Sequence, residues 1–216
     1  MKRATRLGRP RDADSVQTRS RILSVARQLF ASRGYEATSN RLIAEEAGLT
    51  TGAIYHYFDR KLDIFVAVYH ESQGLVFDRF DAAIVGTTTF VGRLEAILET
   101  AHDLNNEDPS LARFLGSCRV DAARDREIAA AVSAAVDPRQ RRTFQDLIDF
   151  GVSTGEIDAS HRAVVWSLLR VIVVGLVDAV SDDRAVHRRA VDGVMLLVNG
   201  KLVRPASDPP KRRRRV

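Results

Sequence analysis

The stretch "GLTTGAIYHYF", residues 48–58, decides how the chain is read. A glycine, two threonines and a second glycine lead into Tyr55, His56, Tyr57 and Phe58. The pattern predicts a short helix from about Thr51 to Tyr57, with Gly48 supplying the positive φ that a sharp turn often demands. Just upstream, a second short helix runs from about Ser39 to Ala47 and buries Leu42, Ile43 and Ala47, with Thr38 or Ser39 at its N-cap. Two short helices on either side of a tight glycine turn form the pattern of a helix-turn-helix. Ala44 is small enough for the two helices to pack closely. Ile43, Leu49, Ile54 and Phe58 are the expected inward anchors. That leaves Thr50, Thr51, Gly52, Ala53, Tyr55, His56 and Tyr57 near the exposed face or at the helix N-terminus. Small residues there permit close approach to a major groove, and hydroxyls and terminal amides suit phosphate oxygens.

The rest of the chain also reads as helix. A first helix before the motif carries Ile22, Val25, Ala26, Leu29 and Phe30 on one stripe and stops at Gly34. After it, Asp59 looks like the cap of a long helix with Leu62, Phe65, Val66, Tyr69, Val76, Phe77 and Phe80, ending near Gly86. Further helices are expected from Thr88 or Thr89 to His102, from Asp108-Pro109 to about Val120, and from Asp125 to Val136. Pro138 breaks or kinks the next one, which continues to Phe150. "GVSTGEIDAS", 151–160, reads as a loop. Two last helices follow, 159–180 and 184–201. No alternating strand pattern stands out, so the fold class is all-α.

Charge is distributed unevenly. The 216 residues carry a net +5, but residues 1–21 hold +5 and residues 201–216 hold +6, which leaves −6 between them. Basic arms of this kind commonly meet nucleic acid; the plain alternative is a pair of solvated tails. The single cysteine, Cys118, forbids an intramolecular disulfide and fits a reducing cytosol. The basic N-terminus has no apolar core of a secretory signal. The stretch 163–180 is strongly apolar, but Arg170 interrupts it and Asp178 closes it. It reads as a helix buried on most sides rather than a bilayer span.

Residues 19–69 strongly resemble the DNA-binding domain of the TetR family of bacterial repressors. The likeness rests on an "A..LF...GY..T" lead, an "IA..AG" second helix and a "G.IY.YF..K" third helix, all present at the right spacing. The resemblance implies an all-α homodimer with an N-terminal helix-turn-helix domain and a C-terminal ligand-binding and dimerisation domain. It would act in the cytoplasm as a repressor of a palindromic operator in double-stranded DNA. Residues 1–18 would be a flexible basic arm, 19–66 the DNA-binding domain, 67–204 the regulatory domain and 205–216 a disordered basic tail. Carried over position by position, Thr38, Ser39, Asn40 and Arg41 open the second helix and meet DNA. Thr50, Thr51, Gly52 and Ala53 start the recognition helix, Tyr55, His56 and Lys61 are the implied phosphate contacts, and Tyr57 belongs to the same DNA-binding set. A thymine methyl contact from Ala53 is plausible on chemical grounds. Within the arm, Gly8-Arg9-Pro10 resembles an AT-hook core, with Arg9 suited to a narrow A·T minor groove.

The same resemblance gives the C-terminal domain a small-molecule effector. Phe65, Tyr69, Leu94, Leu98, Phe114, Cys118, Phe144, Ile148, Trp166 and Arg170 are candidate lining residues. Arg170 stands out, because a cation in an apolar helix calls for a carboxylate or an acidic ligand. A lipophilic effector is expected, with an acid as the variant that Arg170 would suit. Leu169, Val173, Leu176 and Val177, with Val194, Leu197 and Val198, are the expected dimer face. No cofactor or metal is expected: the five histidines form no HExxH, and no Walker A, GxGxxG or GxSxG occurs. A non-enzymatic role follows. The rival readings are a membrane-surface or non-specific nucleic-acid-binding helical protein and, further off, a small all-α enzyme.

Overall fold

The computed structural model describes residues 11–178 and 183–203, with side chains from Asp14 onward. The arm with Arg9, the end of the 159–180 helix and the C-terminal tail lie outside the described residues. Among the described residues ten α-helices follow one another: α1 Arg11–Arg33, α2 Asn40–Glu46, α3 Thr51–Tyr57, α4 Lys61–Ala83, α5 Phe90–Glu107, α6 Pro109–Arg124, α7 Arg126–Ala134, α8 Arg139–Ser153, α9 Arg162–Asp178 and α10 Arg184–Val198. No strand occurs among the described residues. The all-α expectation therefore holds.

Side-chain caps explain most of the boundaries. Ser39, Thr50, Thr89, Asp108, Asp125 and Asp183 each accept a hydrogen bond from a backbone N–H of the turn that follows. Pro109 takes the first position of α6, where its missing N–H goes unnoticed. One cap differs from the expectation. Arg60, not Asp59, is the N-cap of α4, because Asp63 reaches back to accept from the Arg60 backbone N–H at 2.9 Å. α8 also runs on to Ser153, which removes the first residues of the expected loop.

Two cores form. The first joins Ile22, Leu23, Ala26 and Phe30 of α1 to Ile43, Ile54, Ile64 and Phe65. It is completed from the far half of the chain by Phe114, Cys118 and Ile128. Phe65 sits edge-on to Phe30 at 5.0 Å and to Phe114 at 5.3 Å. The head is thus welded to α6 by aromatic packing. The second core gathers Phe77, Phe80, Leu94, Ile97, Leu98, Leu104, Leu147, Leu169 and Val191 from α4, α5, α8, α9 and α10. Gly151 permits the closest helix–loop approach there: a Cβ on it would meet Ile157 Cδ1 at 2.7 Å.

The apolar 159–178 segment corrects one expectation. It is long and apolar enough by composition to cross a membrane, with a mean hydropathy of 1.5. It is not buried on most sides: Leu169 and Leu176 are buried, while Val164, Leu168, Val171 and Val174 are exposed. α9 is apolar nearly all the way round, and the described residues of a single copy cover only one of its faces.

Candidate DNA-reading surface and effector cavity

The head is built around the bend after α2. Gly48 has φ +61, and the chain leaves α2 through Leu49 N–H donating to Ala44 O at 2.8 Å. Arg21 of α1 lies over this bend, so close that a Cβ on Gly48 would meet its guanidinium nitrogen at 2.6 Å. The Thr50 hydroxyl accepts from Ala53 N–H at 3.1 Å and fixes the start of α3. Ile54 is fully buried and Phe58 nearly so, which locks the helix on its inner side. Its outer side presents Thr51, Gly52, Tyr55 and His56 to solvent, with Ala53 and Tyr57 half-buried. Tyr55 is 55% exposed, so its ring is not core.

The other expected contact residues divide. Ser39 and Arg41 are exposed at the start of α2, and Asn40 is half-buried there. Thr38 does not join them: it is 1% exposed, and its hydroxyl donates to Gly34 O at 2.9 Å. Its role is to close the α1–α2 turn rather than to meet a ligand. Lys61 is also engaged from within. Its ammonium donates to Tyr35 O at 2.7 Å and stands 4.0 Å from the Tyr35 ring centroid.

A cavity of about 250 Å³ opens in the second half. Its wall is mostly apolar, with Val76, Phe77 and Phe80 of α4, Ile97 and Leu98 of α5, Leu111 and Leu115 of α6, and Val173, Leu176 and Val177 of α9. Tyr69, Leu98, Cys118 and Phe144 stand in the wall as the sequence suggested. The remaining expected lining residues are placed elsewhere. Phe65 and Phe114 fill the first core, Leu94 and Ile148 fill the second, and Trp166 packs half-buried against it. Arg170 is exposed, so it is neither a buried cation nor part of the wall. Solvent relieves its charge, and the inference of an acidic partner built on it falls away.

The residues of the expected dimer face divide within a single chain. Leu169 and Leu176 are buried in their own chain, and Val173, Leu176 and Val177 line the cavity. Val194 and Val198 pack on the second core. Of that set Leu197 alone is fully exposed, at 51%. The uncovered apolar stripe is instead Val164, Leu168, Val171 and Val174 on α9 with Leu196 and Leu197 on α10.

Few polar groups reach the cavity. Gln73 is spent on the α7–α8 turn: its amide donates to Ala135 O at 3.3 Å and its oxygen accepts from Asp137 N–H at 3.2 Å. Arg119 at the edge is ion-paired with Asp178. Cys118 is buried, and burial pushes its thiol well above the ordinary range, so it is inert structural packing rather than a thiolate. His187 of α10 is 2% exposed, and burial, then the neighbouring His102 and Arg188, holds its pKa below the ordinary value. Nothing in the sequence marked His187 out except a histidine inside the apolar stripe of its helix. Among the described residues no group of three metal-ligating side chains comes together.

α6 connects the cavity to the head. One face carries the lining residues Leu111, Leu115 and Cys118. At its start Asp108 holds Arg27 of α1, and Arg27 Nε donates to Ser110 at 3.2 Å. Near its end Asp121 accepts from the Tyr35 N–H at 3.3 Å. Arg60, just ahead of α4, reaches Glu127 of α7 at 3.0 Å.

Helix order, the glycine-bent α2–α3 pair and a helical second half with a cavity give the layout of a helix-turn-helix head joined to a helical regulatory domain. Residues 22–68 match the family model described as bacterial regulatory proteins, tetR family. The chain is 31% identical over 178 residues to the HTH-type transcriptional activator FasR of Mycolicibacterium smegmatis, covering 82% of this chain and 72% of that one. The chain therefore belongs to the TetR family of transcriptional regulators. Two solved structures share the fold at lower identity. FadR of Bacillus subtilis, in complex with stearoyl-CoA, superposes with a TM-score of 0.67 at 22% identity, covering 84% of this chain and 98% of that one. A transcriptional regulator from Saccharomonospora viridis, in complex with choline, gives 0.69 at 23% identity, covering 86% and 95%. One architecture thus holds ligands as unlike as an acyl thioester and a quaternary amine, so the fold alone does not name an effector.

Proposed function

We propose that this chain represses transcription as a homodimer on an inverted-repeat operator and releases it when a small lipophilic molecule fills the cavity. The observation that carries the reading is the α3 surface: a helix locked inward by Ile54 and Phe58, capped by Thr50, and bare of bulk at Thr51, Gly52 and Ala53. Such a helix end can seat in a major groove. Thr51, Tyr55, His56, Ser39 and Arg41 would meet phosphate oxygens and base edges, a role their exposure supports, and Asn40 carries a buried side-chain oxygen with no partner at that rim. The Arg9 arm would add minor-groove contacts.

Dimerisation belongs to the exposed stripe of α9 and α10. Val164, Leu168, Val171, Val174, Leu196 and Leu197 form an apolar face that a second copy would cover, giving a four-helix contact. Coupling runs through α6 and α4. A ligand pressing on Leu111, Leu115 or Tyr69 would move helices that hold Arg27, Tyr35 and the α3–α4 junction, and so reset the spacing of the two recognition helices. It shifts the balance only by its preference for one of the two forms.

Selection of the full-length protein on a pool of random duplexes is the test. An enriched inverted repeat, lost with Thr51→Ala/Tyr55→Ala, is expected. Enrichment of no sequence, or of one that survives the double substitution, would overturn the reading.

A further inference from the structure

One lining residue of the cavity, His187, ends a hydrogen-bonded chain that no part of the repressor reading uses. Asn106 and His102 of α5 and His187 of α10 stand in line. Asn106 Nδ2 lies 2.9 Å from His102 Nε2, and His102 Nδ1 lies 3.1 Å from His187 Nδ1. The two rings face each other at 5.2 Å between centroids.

The direction of this chain follows from the Asn106 amide, which turns Nδ2 toward His102 and leaves Oδ1 buried without a partner. An amide nitrogen only donates, so His102 Nε2 must accept. With Nε2 accepting, His102 Nδ1–H donates to His187 Nδ1. His187 in turn carries its proton on Nε2. Burial favours the uncharged form of His187, and Arg188 beside it is already engaged by Glu99 and Asp192. The outcome is a neutral imidazole, almost fully buried, lining the cavity with an N–H that no protein group among the described residues accepts. A donor on a mostly apolar cavity wall without a protein acceptor is a natural seat for a ligand oxygen.

We propose that His187 Nε2–H is the polar anchor of the effector, and that the effector is an uncharged, hydrocarbon-rich molecule presenting a carbonyl oxygen, such as a ketone or ester. His102 and Asn106 are positioning residues that hold the donor tautomer. A free acid fits less well, because Arg119, the cation of the lining, is paired with Asp178. This inference rests on the cavity being the effector site, and it adds the chemical class and the residue that reads it.

The experiment uses full-length protein and three probes of one chain length: 2-decanone, decane and decanoate, each titrated by calorimetry. The ketone is expected to bind about fivefold more tightly than decane, the effect of one neutral hydrogen bond, and more tightly than the acid. His187→Leu should erase that preference while leaving decane binding in place, and Asn106→Leu should weaken it by releasing the tautomer. Equal binding of ketone and decane, a stronger acid, or a preference that survives His187→Leu would overturn the anchor but leave the cavity as an apolar ligand site. Absence of binding by all three probes would overturn the anchor and the cavity reading together. A readout independent of any variant is imidazole ¹⁵N NMR of the wild-type protein. Protonation at His187 Nε2 and His102 Nδ1 is expected; the reverse pair of tautomers would make His187 an acceptor and sink the proposal.

Discussion

In the head, Ile22, Ile43 and Ile54 show no exposed surface, and α2 and α3 both begin on a hydroxyl cap. In the regulatory half, longer helices with equally apolar faces stop short of closing and leave about 250 Å³ unfilled. The contrast teaches what each half is asked to do. A reading head must hold two side-chain rows rigidly against a duplex, so its core is close-packed and its turns are pinned. A sensing half must accept a guest and shift, so its interior keeps a void and its polar groups are few.

Large-to-small substitutions sharpen this contrast most. Ile54→Ala should lower stability by about 4 kcal/mol, the upper part of the range for a core site. Leu98→Ala, on the cavity wall, should lower it by about 2 kcal/mol, because a side chain facing a void has fewer contacts to lose. Urea unfolding of both variants measures the difference, and equal losses would break the comparison.

Dimer formation comes next in size. Val171→Glu puts a charge on a surface that is 69% exposed in one chain, so the subunit should fold normally. In the pair that charge would be buried without a partner. Sedimentation should find a monomer, with operator affinity down by about 100-fold. The same charge at Leu169, the inward position, should instead unfold the chain.

On the reading face, Tyr55→Ala or Thr51→Ala should weaken operator binding by about 10-fold while changing stability by no more than about 0.5 kcal/mol. Fluorescence anisotropy and thermal melting separate the two effects. The smallest effect is one of pH. His187 is held neutral in the fold, so the unfolded chain binds more protons once pH drops through the ordinary histidine value of about 6.5. Stability of the regulatory half should therefore fall between pH 7 and pH 5. Its partners there are His102 and Arg188, with Glu99 and Asp192 on the arginine, and His187→Gln should flatten the slope.

The head was legible in the sequence because its signals are local. A cap, a glycine with φ +61 and a buried isoleucine lie within a dozen residues and agree. Thr38 escaped because a threonine before a helix serves a DNA rim and a buried turn equally well in sequence. The regulatory half was harder. α9 is apolar on nearly every side, so its periodicity has no phase: Leu169 and Val173 could not be told from Val164 and Val171 until the packing was visible. Arg170 shows the same loss of phase, read as inward when it points to solvent. His187 depends on partners 81 and 85 residues away, Asn106 and His102, which no local pattern joins.

The central claim is that two copies of α3 enter one duplex. Hydroxyl-radical footprinting of the full-length protein on the selected duplex tests it most directly. Two protected segments are expected on one face of the DNA, centred about one helical turn, or a whole number of turns, apart. A single protected segment, or uniform protection along the duplex, would contradict it.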